Sequence, residues 1–210
     1  MQGAGRTDAG VHALGQIAHM DLKENWSEGR VRDALNAHLK GLGASVLEAI
    51  SVEGDFHARF SAIQRSYEYR IINRRAPLTV DEGRAWWVPQ QLDGKAMLDA
   101  AQVLVGTHDF TSFRASECQA KSPVKTLDIL AVQQRGTVIT ITSRARSFLH
   151  HQVRNIVGSL VWVGKGKWTS KNLEKALLAK DRCAGGPTAP ACGLYLLDVV
   201  YNNGSNGSDK

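Results

Sequence analysis

The chain has 210 residues, of which 43% are hydrophobic, and its formal net charge is +6 at pH 7. Its longest apolar stretch, residues 156–163, is too short to span a bilayer, and no basic start followed by an apolar run indicates a signal peptide. We therefore expect a cytoplasmic protein without a membrane span. The length accommodates one large domain or two small ones that share a core, and the positive charge favours a polyanionic partner.

A charged turn near the start of the chain is the first predicted element. The residues GRTDAGVHA at 5–13 place Asp8 between Gly5 and Gly10, which can adopt backbone angles closed to other residues. Such a turn holds the Asp8 carboxylate forward, where a group outside the turn can contact it. The alternative interpretation is a surface turn in which the aspartate hydrogen-bonds its own backbone.

Hydrophobic periodicity predicts mixed secondary structure along the rest of the chain. The expected strands cover residues 14–22, 45–52, 65–73, 124–133, 137–143 and 193–201. One expected helix is capped by Ser27 and has its apolar residues at positions 31, 35, 39 and 42. The other expected helices cover residues 92–105, 148–163 and 173–179. Strands in alternation with helices and hairpins predict an α+β fold with a largely antiparallel sheet. We expect an N-terminal half at 1–80, a C-terminal half at 81–201 and a flexible tail at 202–210.

Arg154 is the second informative residue, because it lies inside a strongly apolar predicted helix. A buried guanidinium without a partner costs several kcal/mol, so Arg154 needs a carboxylate or a phosphate. Asp8 is a candidate partner, and a close arginine typically lowers the pKa of an aspartate by about 1–3 units. A purely structural ion pair between a helix and a turn is the alternative.

Tyr67 lies on a predicted strand, and a ring beside a catalytic carboxylate can stack a flipped-out base. A strand tyrosine is more often a packing residue, and that alternative stays open. The pair His108-Asp109 resembles a catalytic dyad but has no suitably placed nucleophile, so we expect it to be non-catalytic.

No metal or cofactor is expected from the sequence. The three cysteines show no paired C-x-x-C spacing, and no phosphate-binding loop or dinucleotide fingerprint is present. His150 and His151 are adjacent, which on a helix would direct their side chains about 100° apart rather than to one shared ion.

Four segments, in this order, make the chain resemble the TruA family of tRNA pseudouridine synthases. They are GRTDAGVHA at 5–13, FSAIQRSYEY at 60–69, FLHHQVRNIVG at 148–158 and PTAPACGLYL at 187–196. The resemblance implies the pseudouridine synthase fold, with two ferredoxin-like halves that share a largely antiparallel sheet. It also implies isomerisation of uridine to pseudouridine at positions 38 to 40 of the tRNA anticodon stem-loop, by a homodimer that uses no cofactor.

The resemblance assigns roles to five residues of this chain. Asp8 matches the essential acid, Tyr67 the active-site tyrosine and Arg154 the arginine that pairs with the acid. Arg6 matches the arginine thought to help extrude the target base, and Leu194 matches an apolar residue that lines the pocket.

The position of the first motif gives one further expectation. Members of the family carry a strand and a helix before this turn, and here the turn follows the first residues at once. We expect the natural chain to be longer. A truncated, non-catalytic tRNA-binding protein is the alternative function, and a basic structural protein without RNA would require the four matches to be coincidental.

Overall fold

The computed structural model describes residues 1–202, so the predicted tail at 202–210 lies, except for Asn202, outside the described residues. The strands are β1 Gln2–Gly3, β2 His12–Ala13, β3 Ala18–His19, β4 Ala62–Ile72, β5 Trp86–Trp87, β6 Gly106–Asp109, β7 Val124–Arg135, β8 Val138–Ala145 and β9 Leu194–Tyr201. The α-helices are α1 Glu28–Leu39, α2 Gly94–Ala101, α3 Gln152–Gly164 and α4 Ser170–Ala179. Single 3₁₀ turns occur at 102–104, 111–113, 182–184 and 191–193.

A seven-stranded sheet organises the molecule in the order β2-β9-β4-β8-β7-β6, with β5 paired to β4. The pairs β2–β9 and β4–β5 are parallel and the other pairs of this sheet are antiparallel. The predicted α+β fold with a largely antiparallel sheet is confirmed. β4 comes from the proposed first half and lies between β8 and β9, so the sheet continues across the boundary near residue 80, which stays a prediction.

Helices α2, α3 and α4 pack together and close the main hydrophobic core. The residues of α3 that face this core include Ile156, Val157 and Leu160, which are almost completely buried. Position 158 of the same helix requires glycine, because a Cβ there would come 1.7 Å from the carbonyl oxygen of Pro187. The segment 187–189 therefore passes directly over α3. No helix within residues 1–202 has the length and apolarity needed to cross a membrane.

Three predicted elements differ from the structure. Residues 45–52 form no strand, because the Asn36 side chain bonds both the N–H and the C=O of Val46, groups that a strand ladder would need. The strand predicted at 14–22 is reduced to β3, because Leu14 and Gly15 both turn their N–H groups onto the carbonyl of Leu196. These contacts bend the chain over β9 instead of extending it.

The third difference concerns the start of the apolar helix, predicted at residue 148 and observed at Gln152. His151 adopts a left-handed conformation with φ of 61°, which interrupts the helical path. The Gln152 side chain accepts the Leu149 N–H at 2.8 Å, so it satisfies a donor just outside the helix. Residues 148–151 therefore form a turn that leads into α3, and this change alters the functional site.

Candidate active site

Asp8 lies on a turn that is closed by its own backbone and fastened to the sheet. The Val11 N–H donates to the Asp8 carbonyl at 3.0 Å, and Gly10 takes a φ of +81° that favours glycine. The chain then enters β2, where His12 pairs with Tyr195 of β9 in parallel register. The predicted turn is present, and its Asp8 side chain is turned to other elements rather than to its own backbone.

An aromatic stack fixes the exit of this turn. The His12 ring stacks on Tyr195 with ring centroids 4.6 Å apart, and the Arg70 guanidinium carbon lies 3.9 Å from the Tyr195 ring centroid. Because both groups cannot occupy the same face, the tyrosine ring is sandwiched between them. The Tyr195 hydroxyl donates to the carbonyl of Arg84 at 2.6 Å. The turn that carries Asp8 is thus tied to β9 and β4.

Arg154 pairs with Asp8, as the sequence suggested. Its Nη1 donates to Oδ2 of Asp8 at 2.9 Å, and its Nε donates to the carbonyl of Ala189 at 2.8 Å. The Arg154 side chain is only 15% exposed. The second bond fixes the plane of the guanidinium, so the cation is held in one orientation against the carboxylate.

Two histidines that the sequence did not predict as site residues complete the surroundings of Asp8. His150 Nε2 lies 3.1 Å from Oδ1 and His151 Nε2 lies 3.0 Å from Oδ2. The prediction that the adjacent histidines diverge was wrong, because α3 begins at Gln152 and no helix runs through both residues. The left-handed backbone of His151 lets both rings reach one carboxylate, with their centroids 4.0 Å apart. The one sequence signal for a role of these histidines was that they directly precede the helix that carries Arg154.

The pKa of Asp8 is lowered from its ordinary value of 3.8. Burial by itself raises this pKa, because it removes water from the charged form. The hydrogen bond from Arg154, the charges of the two histidines and the hydrogen bond from His150 act in the opposite direction and outweigh burial. The carboxylate is consequently ionised throughout the neutral pH range.

This lowered pKa predicts how stability depends on pH. The ion pair of Asp8 stabilises the folded state at pH values above 3.8, the ordinary value, and that contribution is lost as the pH falls through the lower folded value. The unfolding free energies of the wild type and of Asp8→Asn should therefore differ at pH 7 and approach each other at a pH well below 3.8. Urea unfolding at both pH values measures the difference, and a gap that persists unchanged at low pH contradicts the assignment.

Tyr67 lies next to the turn. A Cβ at Gly5 would lie 3.7 Å from the Tyr67 hydroxyl, and the Tyr67 ring packs edge-on against Phe148 with centroids 5.1 Å apart. Burial raises the pKa of Tyr67, the Arg65 charge lowers it and the Asp8 carboxylate raises it further. The phenol is therefore protonated at neutral pH.

Arg6 and Leu194 occupy different surroundings. Arg6 is exposed and makes no hydrogen bond or ion pair with any residue among 1–202. Leu194 is 7% exposed, is the first residue of β9, lies opposite Tyr69 and belongs to the main core.

Arg65, unlike the exposed Arg6, is buried and donates to three backbone carbonyls, those of Ala4, Arg59 and Arg146. The Arg65 guanidinium is thus bound by backbone carbonyls inside the protein.

The Asp8 cluster also has the residue types of a metal site. One ligand atom each from Asp8, His150 and His151 lie within 4.8 Å of one another. Arg154 already occupies Oδ2, so a cation bound to Oδ1 and the two imidazoles would share the carboxylate with a guanidinium. The positive neighbour favours a carboxylate held by hydrogen bonds and charge over a metal centre.

The pair His108-Asp109 forms no dyad in the structure. His108 Nε2 contacts the carbonyl of Val105, whereas Asp109 accepts both the N–H and the hydroxyl of Thr111. The two side chains thus have separate local partners. A non-catalytic role for this pair stays a prediction.

Comparison with known proteins gives a consistent family. Residues 100–202 match a family model described as tRNA pseudouridine synthase. The chain is 59% identical over 202 residues to tRNA pseudouridine synthase A of Paramagnetospirillum magneticum, covering 96% of this chain and 79% of that protein. It is also 59% identical to the protein of the same name from Parvibaculum lavamentivorans, and the match covers 95% of this chain and 81% of that protein. The identity to the protein of the same name from Rhodospirillum rubrum is again 59%, and the match covers 96% of this chain and 72% of that protein. The chain therefore belongs to the tRNA pseudouridine synthase A family.

Proposed function

We propose that this protein isomerises uridine to pseudouridine at positions 38 to 40 of the tRNA anticodon stem-loop, with Asp8 as the essential nucleophile or base. The observation that carries the proposal is the Asp8 cluster. A single carboxylate is fixed on a rigid turn and kept ionised by Arg154 and two imidazoles. Family membership supplies the reaction class, and the geometry supplies a residue able to perform it.

The reaction exchanges one bond for another and changes no oxidation state of a cofactor. The N1–C1′ bond of uridine breaks, the detached uracil turns over in the pocket, and its C5 bonds to C1′. C5 then loses its proton and N1 gains one, so the proton count is conserved. Asp8 acts on the ribose or on the uracil, and both routes require the ionised carboxylate that its lowered pKa provides.

The neighbouring residues have distinct parts in this proposal. Arg154 orients the carboxylate and keeps it charged. Tyr67 lies beside the turn with a protonated hydroxyl, which suits it to stacking on the base or to proton transfer. Arg6 is exposed two residues before Asp8 in the chain and is free to enter the RNA when a base is extruded. We assign Leu194 to the wall of the uracil pocket, as the apolar residue at the start of β9.

The partner in this proposal is tRNA, bound by a basic protein whose net charge is +6. We also propose that two copies of the chain form a homodimer and that the enzyme acts in the cytoplasm. Binding to tRNA should weaken steeply with salt, because phosphate contacts release counterions.

Tritium release from tRNA labelled with [5-³H]uridine tests the proposed function, since loss of the C5 proton is required only when pseudouridine forms. Primer extension after carbodiimide treatment then maps the modified positions. We expect release at positions 38 to 40. Tight tRNA binding without release would overturn the proposal and favour the non-catalytic tRNA-binding protein.

Two tyrosines on β4 offer a matched pair of substitutions. Tyr67→Phe keeps the contact with Phe148 and removes the hydroxyl beside the turn, so we expect turnover to fall by about 10²-fold, the low end for a positioned acid or base. Tyr69→Phe removes a hydroxyl that donates to the carbonyl of Pro190 at 2.6 Å. That change should cost about 1–2 kcal/mol of unfolding free energy.

Single-turnover rates and thermal melts of both variants measure the two effects. Turnover should remain near the wild-type rate in Tyr69→Phe, at a temperature where the variant is folded. Equal losses of turnover in the two variants would show that Tyr67 acts through packing alone.

A further inference from the structure

The two oxygens of the Asp8 carboxylate are not equivalent. Oδ2 lies 2.9 Å from Arg154 Nη1 and 3.0 Å from His151 Nε2, whose side chains are 15% and 28% exposed. Oδ1 lies 3.1 Å from His150 Nε2, and the His150 side chain is 41% exposed. One oxygen is thus held from within the protein and the other is covered by the most exposed member of the cluster.

The three partners also differ in how they are anchored. Arg154 is fixed by its second bond to Ala189 and by its place in the first turn of α3. His150 is held through its backbone carbonyl, which accepts the Ala115 N–H at 2.9 Å. Its ring contacts Asp8 and the ring of His151. The His150 ring can therefore turn into solvent without breaking any bond of Arg154.

Attack by a carboxylate needs an oxygen whose lone pair faces the carbon of the substrate. An ionised carboxylate only accepts hydrogen bonds, so the imidazole at Oδ1 is a donor that occupies this oxygen. A donor of this kind lowers the electron density of the oxygen and obstructs the approach. Each carboxylate oxygen has two lone pairs, so Oδ2, beside two donors, is the more occupied oxygen, and Oδ1, beside one donor, keeps a lone pair for the substrate. Of the three donors, the exposed and singly anchored His150 ring is the one free to leave.

We propose that Oδ1 is the reacting oxygen of Asp8 and that His150 is a cap on it which the bound uridine displaces. This inference rests on the proposed function. If Asp8 attacks the ribose, Oδ1–C1′ forms and N1–C1′ breaks with its electron pair left on uracil. If Asp8 attacks the base, Oδ1–C6 forms and the C5=C6 electron pair moves towards the O4 carbonyl. In both routes the carboxylate later leaves with the pair it supplied.

Protonation should strengthen the cap. The His150 ring faces the Asp8 carboxylate of the turn and the ring of its neighbour His151. Arg154 of α3 bonds the other oxygen of the same carboxylate, and the Ala115 N–H bonds the His150 carbonyl. Two imidazoles this close cannot readily both carry charge. Burial lowers the pKa of His151, the Asp8 charge raises it, and the nearby His150 and Arg154 charges lower it again. The charged form is therefore disfavoured at His151.

A charged imidazole binds a carboxylate more strongly than a neutral one, so uridine displaces the cap less readily at low pH. The test is kcat/KM for tritium release at pH 5.5 and pH 7.5 in the wild type, His150→Ala and His150→Gln. We expect the wild type to lose more than about twofold in kcat/KM at pH 5.5 relative to pH 7.5, because a charged imidazole is the stronger donor to the carboxylate. Both variants should reduce that loss to less than about twofold.

His108→Ala is the matched control, because His108 contacts the carbonyl of Val105 and the ring of Phe110 and is not part of the Asp8 cluster. This variant should retain the wild-type pH ratio. A His150 variant that keeps the wild-type pH ratio overturns the cap, as does one that loses turnover at both pH values while still folded by thermal melting. A wild type that binds tRNA but releases no tritium overturns the proposed function itself, and the cap with it.

A structure bound to tRNA containing 5-fluorouridine at the target gives an independent decision. Fluorine at C5 cannot leave as a proton does, so the last step is blocked and the base remains in the pocket. We expect Oδ1 to be the carboxylate oxygen nearer to C1′ or C6, with the His150 ring beyond hydrogen-bond distance of it. An unmoved His150, or Oδ2 as the nearer oxygen, overturns the inference.

Discussion

Replacement of Asp8 by alanine is expected to lower turnover of tRNA by at least about 10³-fold, because the only group proposed to attack the substrate is removed. Affinity for tRNA should change little, since binding of a polyanion depends on many basic contacts spread over the surface. Single-turnover tritium release and filter binding at one fixed salt concentration measure the two quantities separately.

Asp109→Ala is the matched control for this substitution. The Asp8 and Asp109 side chains are both 24% exposed, and both pKa values are lowered, but the largest cause at Asp109 is the hydrogen bond from Thr111. Loss of the Asp109 carboxylate should leave the rate of tritium release close to that of the wild type. If both variants lose activity to the same extent, Asp8 contributes to stability alone and the proposed chemistry is wrong.

Replacement of Arg154 by alanine should lower turnover by about 10³-fold, the upper range for removal of one preorganised donor. Without Arg154 the carboxylate loses the partner that fixes its direction, and the carbonyl of Ala189 loses its donor. The unfolding free energy should also fall by about 1–3 kcal/mol, because two partly buried acceptors are left without this partner. Urea unfolding and single-turnover rates report the two losses.

Two further variants separate catalysis from stability. Arg154→Lys keeps the charge but cannot bond both Asp8 and Ala189 in the same geometry, so its turnover should lie between those of the wild type and Arg154→Ala. Arg182→Ala removes an arginine that bonds Asn155, Gly186 and Thr188 and does not contact the Asp8 cluster. It should lose stability on a similar scale and keep turnover within about tenfold of the wild type.

If Arg154 contributed to stability alone, Arg154→Ala and Arg182→Ala would show equal turnover when both are assayed below their melting temperatures. That result would reduce the Asp8–Arg154 pair to the structural ion pair considered from the sequence. A larger kinetic defect in Arg154→Ala would instead support orientation of the carboxylate as its role.

The family and most regular elements followed from local patterns in the sequence. Alternation predicted β4 and the β7–β8 hairpin, and a continuous apolar run predicted α3, because each pattern reflects burial of one whole element. The pairing of Arg154 with Asp8 was also predicted, since a guanidinium within an apolar helix requires a negative partner. The roles of Asp8, Tyr67, Arg154, Arg6 and Leu194 remain predictions.

Other features depended on contacts between residues distant in the chain. The strand expected at 45–52 is absent because Asn36 takes the backbone groups of Val46, a contact that no periodicity encodes. Arg65 is similar: its alternation with Tyr67 fits a surface or a core equally well, and only the carbonyls of Ala4, Arg59 and Arg146 decide that it is buried.

The sequence by itself determined the family, the acid on a glycine-bounded turn and the arginine that needs it, because residue type and burial pattern are local properties. Only the tertiary structure decided that His150 and His151 join them. A left-handed φ at a residue other than glycine is uncommon and has no reliable sequence mark. At His151 that backbone angle is what brings two imidazoles to the two oxygens of one carboxylate.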